Sequence, residues 1–170
     1  MMIRTFRVLF LVMIFSTGCA TSLITAPVDL SDGQLELVLQ SLTAGPDQYN
    51  TAGGYWRPRE GTRFLWATFM IRNNQNTPRM VHLKALHLLS GGRRVRPFII
   101  DMGSAVTMRA NPDPRLGPGE SLTRRIVFRI PVGEVPEKIA YEGRETSLSV
   151  MRGGRQLINN EARTDTGVSR

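Results

Sequence analysis

Apolar residues fall on every second position in several short stretches of this chain, the period of a β-strand with one buried face. In Gln34–Leu42 the residues Leu35, Leu37 and Leu39 alternate with Glu36 and Gln40. Thr62–Arg72 is the densest stretch: Leu65, Ala67, Phe69 and Ile71 share one face, and Phe64, Trp66 and Met70 share the other. Apolar side chains on both faces predict a central strand, and the turn formers Asn73–Asn76 close it. Met80–Leu89 lies between Asn76-Thr77-Pro78 and Ser90-Gly91-Gly92, which favours a strand running into a hairpin over a short helix. Arg93–Asp101 is the return strand, and Pro97 restricts it to an edge or a bulge. Ser121–Ile130 alternates Leu122, Arg124, Ile126, Phe128 and Ile130 with Thr123, Arg125, Val127 and Arg129, predicting one core face and one mostly wet face. Lys138–Tyr141 and Glu145–Met151 complete six or seven strands. With no convincing helix, the pattern predicts an all-β, antiparallel sandwich or barrel.

The beginning of the chain follows another rule. Arg4 and Arg7 precede an apolar run of about eight residues from Val8, far short of the roughly 20 needed to cross a bilayer. Ser16, Thr17, Gly18 and the sole cysteine, Cys19, follow it. This is the layout of a bacterial secretory signal peptide. Ser16-Thr17-Gly18-Cys19 resembles the bacterial lipoprotein box, with Ser16 where leucine is usual. The resemblance implies that Cys19 is lipid-modified, for instance with palmitate, and becomes the new N-terminus. By analogy with lipoprotein sorting, Ala20 then implies the outer membrane. Ordinary secretion is the alternative, since Ser16 and Gly18, or Gly18 and Ala20, also satisfy a small-x-small cleavage rule. A single cysteine has no intrachain disulfide partner. Ala20–Gly33 shows no sustained periodicity and reads as a tether with a reach of about 20 Å. The expected division is a leader over 1–18, a lipidated cysteine and tether over 19–33, a sandwich over 34–151 and a polar tail over 152–170.

Composition adds a basic balance. The formal net charge is +8, from 22 basic and 14 acidic residues. Removing a leader that carries Arg4 and Arg7 lowers the net charge to about +6. Only Lys84 and Lys138 are lysine. Arginine suits bidentate contacts to phosphate, although a bias so uniform along the chain also fits a GC-rich genome. Arg93, Arg94, Arg96, Arg125 and Arg129 form a candidate face for anionic lipid, lipopolysaccharide or an acidic partner. The competing reading is a solvated outer face that discourages edge pairing. Ala44–Gly61, rich in Gly, Pro, Asn and Asp, is a candidate binding loop carrying Tyr49, Tyr55 and Trp56. Alternatively, Trp56 folds back over one end of the core.

The sequence of turns and core positions carries a family likeness. Gly61-x2-Phe64-Leu65 leads to Ile71-Arg72-Asn73-Asn74, followed by Leu88-Leu89-Ser90-Gly91-Gly92-Arg93, Leu116-Gly117-Pro118-Gly119-Glu120, Val127-Phe128-Arg129-Ile130-Pro131 and Ile139-Ala140-Tyr141. This resembles the immunoglobulin-like extracytoplasmic domains of bacterial lipoproteins and secreted antigens. It implies an immunoglobulin-like β-sandwich of about seven strands, and it carries no functional residues across.

Catalytic signatures are not found. His82 and His87 are five apart, on opposite faces of a strand and well off one face of a helix, so they make a poor metal pair. Ser104 in Asp101-Met102-Gly103-Ser104-Ala105 lacks the second glycine of a hydrolase elbow. Zinc would require more Cys and His, and Gly91-Gly92 and Gly153-Gly154 are not phosphate loops. Arginines without interleaved aromatic residues do not form a stacking platform for nucleic acid. The expected function is that of a non-catalytic, cofactor-free envelope lipoprotein acting on a protein partner as an accessory or assembly factor. A module that binds anionic lipid or lipopolysaccharide is the alternative. Intact-mass measurement on protein expressed in a bacterial host will show a lipid-sized increase that Cys19→Ser abolishes; an unmodified mass would favour plain secretion.

Overall fold

The structure, a computed structural model, describes residues 22–51, 54–101, 112–152 and 155–156. Its strands are β1 (Val28–Asp29), β2 (Leu35–Ala44), β3 (Tyr49–Thr51), β4 (Gly54–Trp56), β5 (Thr62–Asn73) and β6 (Arg79–Met80). After a single 3-10 turn at Leu83–Ala85 come β7 (His87–Ser90), β8 (Arg93–Val95), β9 (Pro97–Ile100) and β10 (Arg115–Leu116). The chain continues through β11 (Ser121–Pro131), β12 (Lys138–Tyr141), β13 (Arg144–Ser147), β14 (Met151–Arg152) and β15 (Arg155–Gln156).

Two antiparallel sheets make the sandwich, a five-stranded one in the order β1-β2-β5-β11-β9 and a four-stranded one in the order β13-β12-β7-β8. Short pairs β3–β4, β6–β10 and β14–β15 complete it. As its two apolar faces predict, β5 is central, paired with β2 on one side and β11 on the other. Leu65, Ala67, Phe69 and Ile71 meet Leu37, Leu39, Ile126 and Phe128 in the main core, which Leu88, Ile139 and Tyr141 close from the second sheet. At about 1.5–3 kcal/mol for each fully buried large side chain, this layer is the main driving force of the fold.

Register shifts keep the core in phase. Leu39 pairs with Phe69 and Ser41 with Thr68, so Gln40 is the extra residue of a bulge. The bulge returns Leu42, three positions after Leu39, to the buried face. The 3-10 turn does the same in the region expected to be one strand over Met80–Leu89. Val81, Leu83, Leu86 and Leu88 are all fully buried. Their two-three-two spacing cannot come from a single strand, and the chain splits into β6, the turn and β7.

The expected return strand over Arg93–Asp101 is also divided. Arg93–Val95 is the edge of the four-stranded sheet and Pro97–Ile100 the edge of the five-stranded sheet, with the crossover at Arg96. Pro97 thus has an edge position where its missing N–H costs no ladder bond. This division, together with β1 from the stretch expected as a tether, gives nine strands in the two sheets rather than about seven.

The tether expected over 19–33 is corrected from Ser22 onward. Ser22 bridges to Thr43 and Ile24 to Val150. The Leu23 N–H donates to the Leu42 carbonyl at 2.5 Å, and the Met151 N–H to the Leu23 carbonyl at 2.8 Å. Ile24, Val28 and Leu30 are buried in the main core. Their irregular spacing hides them from a period search, but their apolar surface is enough to dock the segment. The sandwich therefore starts at least 12 residues before Gln34, and β14–β15 extends it past Met151. The leader, Cys19 and residues 157–170 lie outside the described residues.

Ile24→Ala will cost about 2–4 kcal/mol in denaturant unfolding and open residues 22–33 to limited proteolysis. Val132→Ser, at an exposed turn, will stay within about 0.5 kcal/mol. Equal stability of the two variants would mean the segment is not docked in solution.

Candidate functional site

The face of the five-stranded sheet turned away from the main core carries a second, smaller apolar cluster. Phe64 and Trp66 on β5 and Val127 on β11 are buried there, with Tyr49, Phe98 and Ile99 packed against them. The face expected to be mostly wet along β11 is therefore covered at Val127. Phe98 arrives by a register shift: Val127 pairs with Ile99 and Phe128 with Pro97, leaving Phe98 as the extra residue of a bulge. Two consecutive residues, Phe98 and Ile99, consequently pack on the same side.

The stretch expected as an irregular loop holds the hairpin β3–β4, which folds over this face. Tyr49 stacks on Trp66 with centroids 5.8 Å apart, and Phe64 stacks on Phe98 at 5.6 Å. The Trp66 indole N–H donates to the Pro46 carbonyl at 2.9 Å, and the Phe64 N–H donates to Asp47 Oδ1 at 3.0 Å. Asp101 accepts from the Tyr49 hydroxyl at 3.3 Å and from Arg125 Nη2 at 2.7 Å. Burial, and then the negative charge of Asp101, push the Tyr49 hydroxyl above its ordinary pKa, so it stays a donor. Trp56 does not cap the main core. It lies edge-on to Phe98 at 6.2 Å and remains 57% exposed, as does Tyr55, over which the Arg57 guanidinium lies at 4.9 Å.

The five candidate arginines divide into two groups. Arg125 lies over Trp66 at 4.9 Å and is held by Asp101. Four residues separate it from Arg129 along β11, about 13 Å, and it stands apart from the others. Arg93, Arg94, Arg96 and Arg129 converge on an open groove of about 450 Å³. Val95, Pro97, Phe98 and Pro131 supply its apolar lining. Arg93 pairs with Glu134, and Arg94 lies 3.8 Å from Glu145, a carboxylate also approached by Lys138 at 3.6 Å. Among the described residues, Arg96 and Arg129 have no carboxylate within ion-pair distance; Arg129 instead lies over the Phe98 ring at 4.6 Å. Two uncompensated guanidinium groups beside an apolar floor can bind a phosphate or carboxylate bidentately while an apolar portion packs beneath.

A neighbouring cavity of about 700 Å³ shares Arg94, Arg96, Pro97 and Phe98 with this groove and adds Lys84 and His87. Its described lining holds no Ser, Cys, Asp or Glu. His87 Nδ1 lies 3.0 Å from the Ala85 carbonyl, while His82 Nδ1 lies 3.1 Å from Asp113, so the histidines have separate settings. No group of three or more His, Cys, Asp or Glu suited to a metal ion occurs among the described residues. Ser104 lies outside them.

Phe98, Asp47 and Asp101 were not among the residues singled out from sequence. The run Pro97-Phe98-Ile99-Ile100 carried the available signal, since four apolar residues in a row after an edge proline imply two occupied faces or a bulge.

No family model matches the chain, and no curated protein matches it. Among solved structures it is similar to a conserved hypothetical protein from Bacillus anthracis, at 13% identity and a TM-score of 0.53, over 74% of this chain and 94% of that one. Two others are an uncharacterised beta-sandwich protein from Clostridium difficile (13% identity, TM-score 0.48, 73% and 89% covered) and a functionally unknown protein from Listeria monocytogenes (14%, 0.46, 71% and 72%). At these identities the first likeness speaks to the β-sandwich fold alone.

Phe98→Ala removes the ring shared by Phe64, Trp56 and Arg129. It will cost about 1–3 kcal/mol of stability and red-shift tryptophan emission. An unchanged spectrum would mean the hairpin does not rest on this ring.

Proposed function

We propose that this domain is a non-catalytic binding module of the bacterial cell envelope, held to a membrane through Cys19, that recognises an anionic ligand in the arginine groove. The observation that carries the reading is the pairing state of the groove's arginines. Arg93 and Arg94 have carboxylates nearby, whereas Arg96 and Arg129 flank the opening with none among the described residues. Surface arginines held only for solubility need not converge on one groove. The described lining of both cavities offers cations and apolar surface but no Ser or Cys nucleophile and no acid, which supports binding over hydrolysis. The lipoprotein-box resemblance supports the envelope assignment, with the outer membrane as the favoured site.

A second reading is that of an accessory or assembly factor whose protein partner docks on the hairpin. It draws support from Tyr55 and Trp56, two large aromatic residues of β4 each 57% exposed, a residue class enriched at interface hot spots.

Binding to lipopolysaccharide or to phosphatidylglycerol vesicles will weaken steeply between low salt and about 0.3 M. It will fall at least tenfold in Arg96→Glu/Arg129→Glu, while Arg125→Glu, whose wild-type charge already faces Asp101, will lose less. Salt-independent binding, or an equal loss in both variants, would overturn the groove as the site.

A further inference from the structure

We infer that the domain stands on an anionic lipid bilayer by one end of the sandwich, with Tyr55, Trp56, Val132, Arg96 and Arg129 at the headgroups. The inference rests on the reading of Cys19 as the lipid-bearing residue and names the ligand of the arginine groove as the leaflet to which the protein is itself anchored.

The length of chain between Cys19 and the sandwich limits which end can face the bilayer. Ser22 is bridged to Thr43, and the Leu23 N–H is bonded to the Leu42 carbonyl, so the chain is fixed to β2 from Ser22 onward. Three residue steps separate Ser22 from Cys19, a span of at most about 10 Å. Across the sheet, Thr43 is level with Trp66, Val127 and Ile99. From that level the end formed by Thr62 and Pro131 is four residues away along β5, about 13 Å. The opposite end, at Asn73, is seven residues away, about 24 Å. A lipid at Cys19 therefore comes within about 3 Å of the level of the Thr62–Pro131 end, where the depth of the headgroup layer covers the difference, and falls about 14 Å short of the Asn73 end. With so short a link the domain has no slack to turn over.

The end that this reach selects also carries interfacial chemistry. The exposed Tyr55 and Trp56 stand beside Arg57 on the hairpin, and Val132, 65% exposed, sits in the turn after β11. Arg96 and Arg129 line the groove with Pro131 at that end, and among the described residues they have no carboxylate within ion-pair distance. Amphipathic aromatic rings with arginines beside them are the residue types that occupy the membrane–water interface, and anionic headgroups attract such cations within a Debye length. At the far end Arg79 and Arg144 are both committed to Asp32, at 2.9 and 3.4 Å, while Arg72, Arg115 and Met80 are exposed. Tether geometry selects this end, and its aromatic rings and arginines suit a headgroup layer.

The test uses the full-length protein expressed in a bacterial host, its mass measured intact beside Cys19→Ser, and incorporated into vesicles with brominated acyl chains. The vesicles are phosphatidylcholine alone or mixed with phosphatidylglycerol. The expected result is a lipid-sized mass increase lost in Cys19→Ser, together with blue-shifted tryptophan emission quenched by the bromines. Quenching will be stronger with phosphatidylglycerol and absent in Trp56→Phe, because the remaining Trp66 is buried on the sheet. Arg96→Glu/Arg129→Glu will lose roughly half or more of the phosphatidylglycerol-dependent quenching. A lipidated protein whose Trp56 is not quenched would overturn the orientation and leave the anchor standing. No lipid on Cys19 would overturn the anchor reading and this inference with it. Unquenched Trp56 on a lipidated protein, with a protein recovered by the wild type and lost by Trp56→Phe, would assign the end to a protein partner instead.

Discussion

The central position of β5 imposes one requirement on everything around it: a strand paired on both sides and apolar on both faces must be covered twice. Its inner residues Leu65, Ala67, Phe69 and Ile71 are covered by the second sheet, which supplies a full layer. Among the described residues, no third layer covers its outer residues Phe64 and Trp66. Their cover is assembled from the β3–β4 hairpin, the Phe98 bulge and two arginines lying on rings. Each guanidinium–ring contact contributes only about 0.5–1 kcal/mol at exposed sites, and the arginine stems add apolar cover. Arg129 thus serves the fold through Phe98 while its charge remains turned to the groove. A patch that is half core and half surface is the natural product of an unfinished layer.

The ends of β5 are secured by polar clasps. Asn73 is fully buried, and its Nδ2 donates to the carbonyls of Thr77, Leu116 and Gly117 at 2.8, 3.1 and 3.1 Å. Its own carbonyl accepts from the Gly119 N–H at 2.9 Å, and Glu120 Oε2 accepts from the Gly117 N–H at 2.7 Å. Asn73 and the Leu116–Glu120 run were both parts of the family-like pattern in the sequence. Their role is to tie the end of β5 to the turn that starts β11, a junction any such sandwich must make. For that reason the pattern was informative about fold and silent about ligand.

Strand identity was legible where apolar residues alternate over five or more positions, as in β2, β5 and β11, because period two is a local property. What escaped were the places where the phase is reset by distant pairing. Leu42 reaches the core through the bulge at Gln40, and Leu83 and Leu86 do so through the 3-10 turn. Ile24, Val28 and Leu30 gain their burial from β2 and the chain near Val150, a partnership with no trace in local spacing. The candidate site was legible by residue type and only partly by grouping. Tyr49 and the arginines were named, but Arg125 separates from Arg129 because β11 is extended and four residues cover about 13 Å. Arg93, Arg94 and Arg96 join Arg129 only because the chain changes sheets at Arg96.

The docking of residues 22–33 changes what an anchor at Cys19 would do. Fourteen loose residues reach about 20 Å and let a domain present any face to the membrane, so the lipid would set location without orientation. With Ser22 fixed beside Thr43, the lipid and the sheet form one body joined by a link of at most about 10 Å. Association of the arginine groove with the leaflet then no longer carries the full entropic cost of bringing two free partners together. On the proposed anchoring, Arg96 and Arg129, too few for strong binding from solution, would act with the tether that holds them at the surface. On that proposal the groove needs to add only a modest affinity to what the tether would supply.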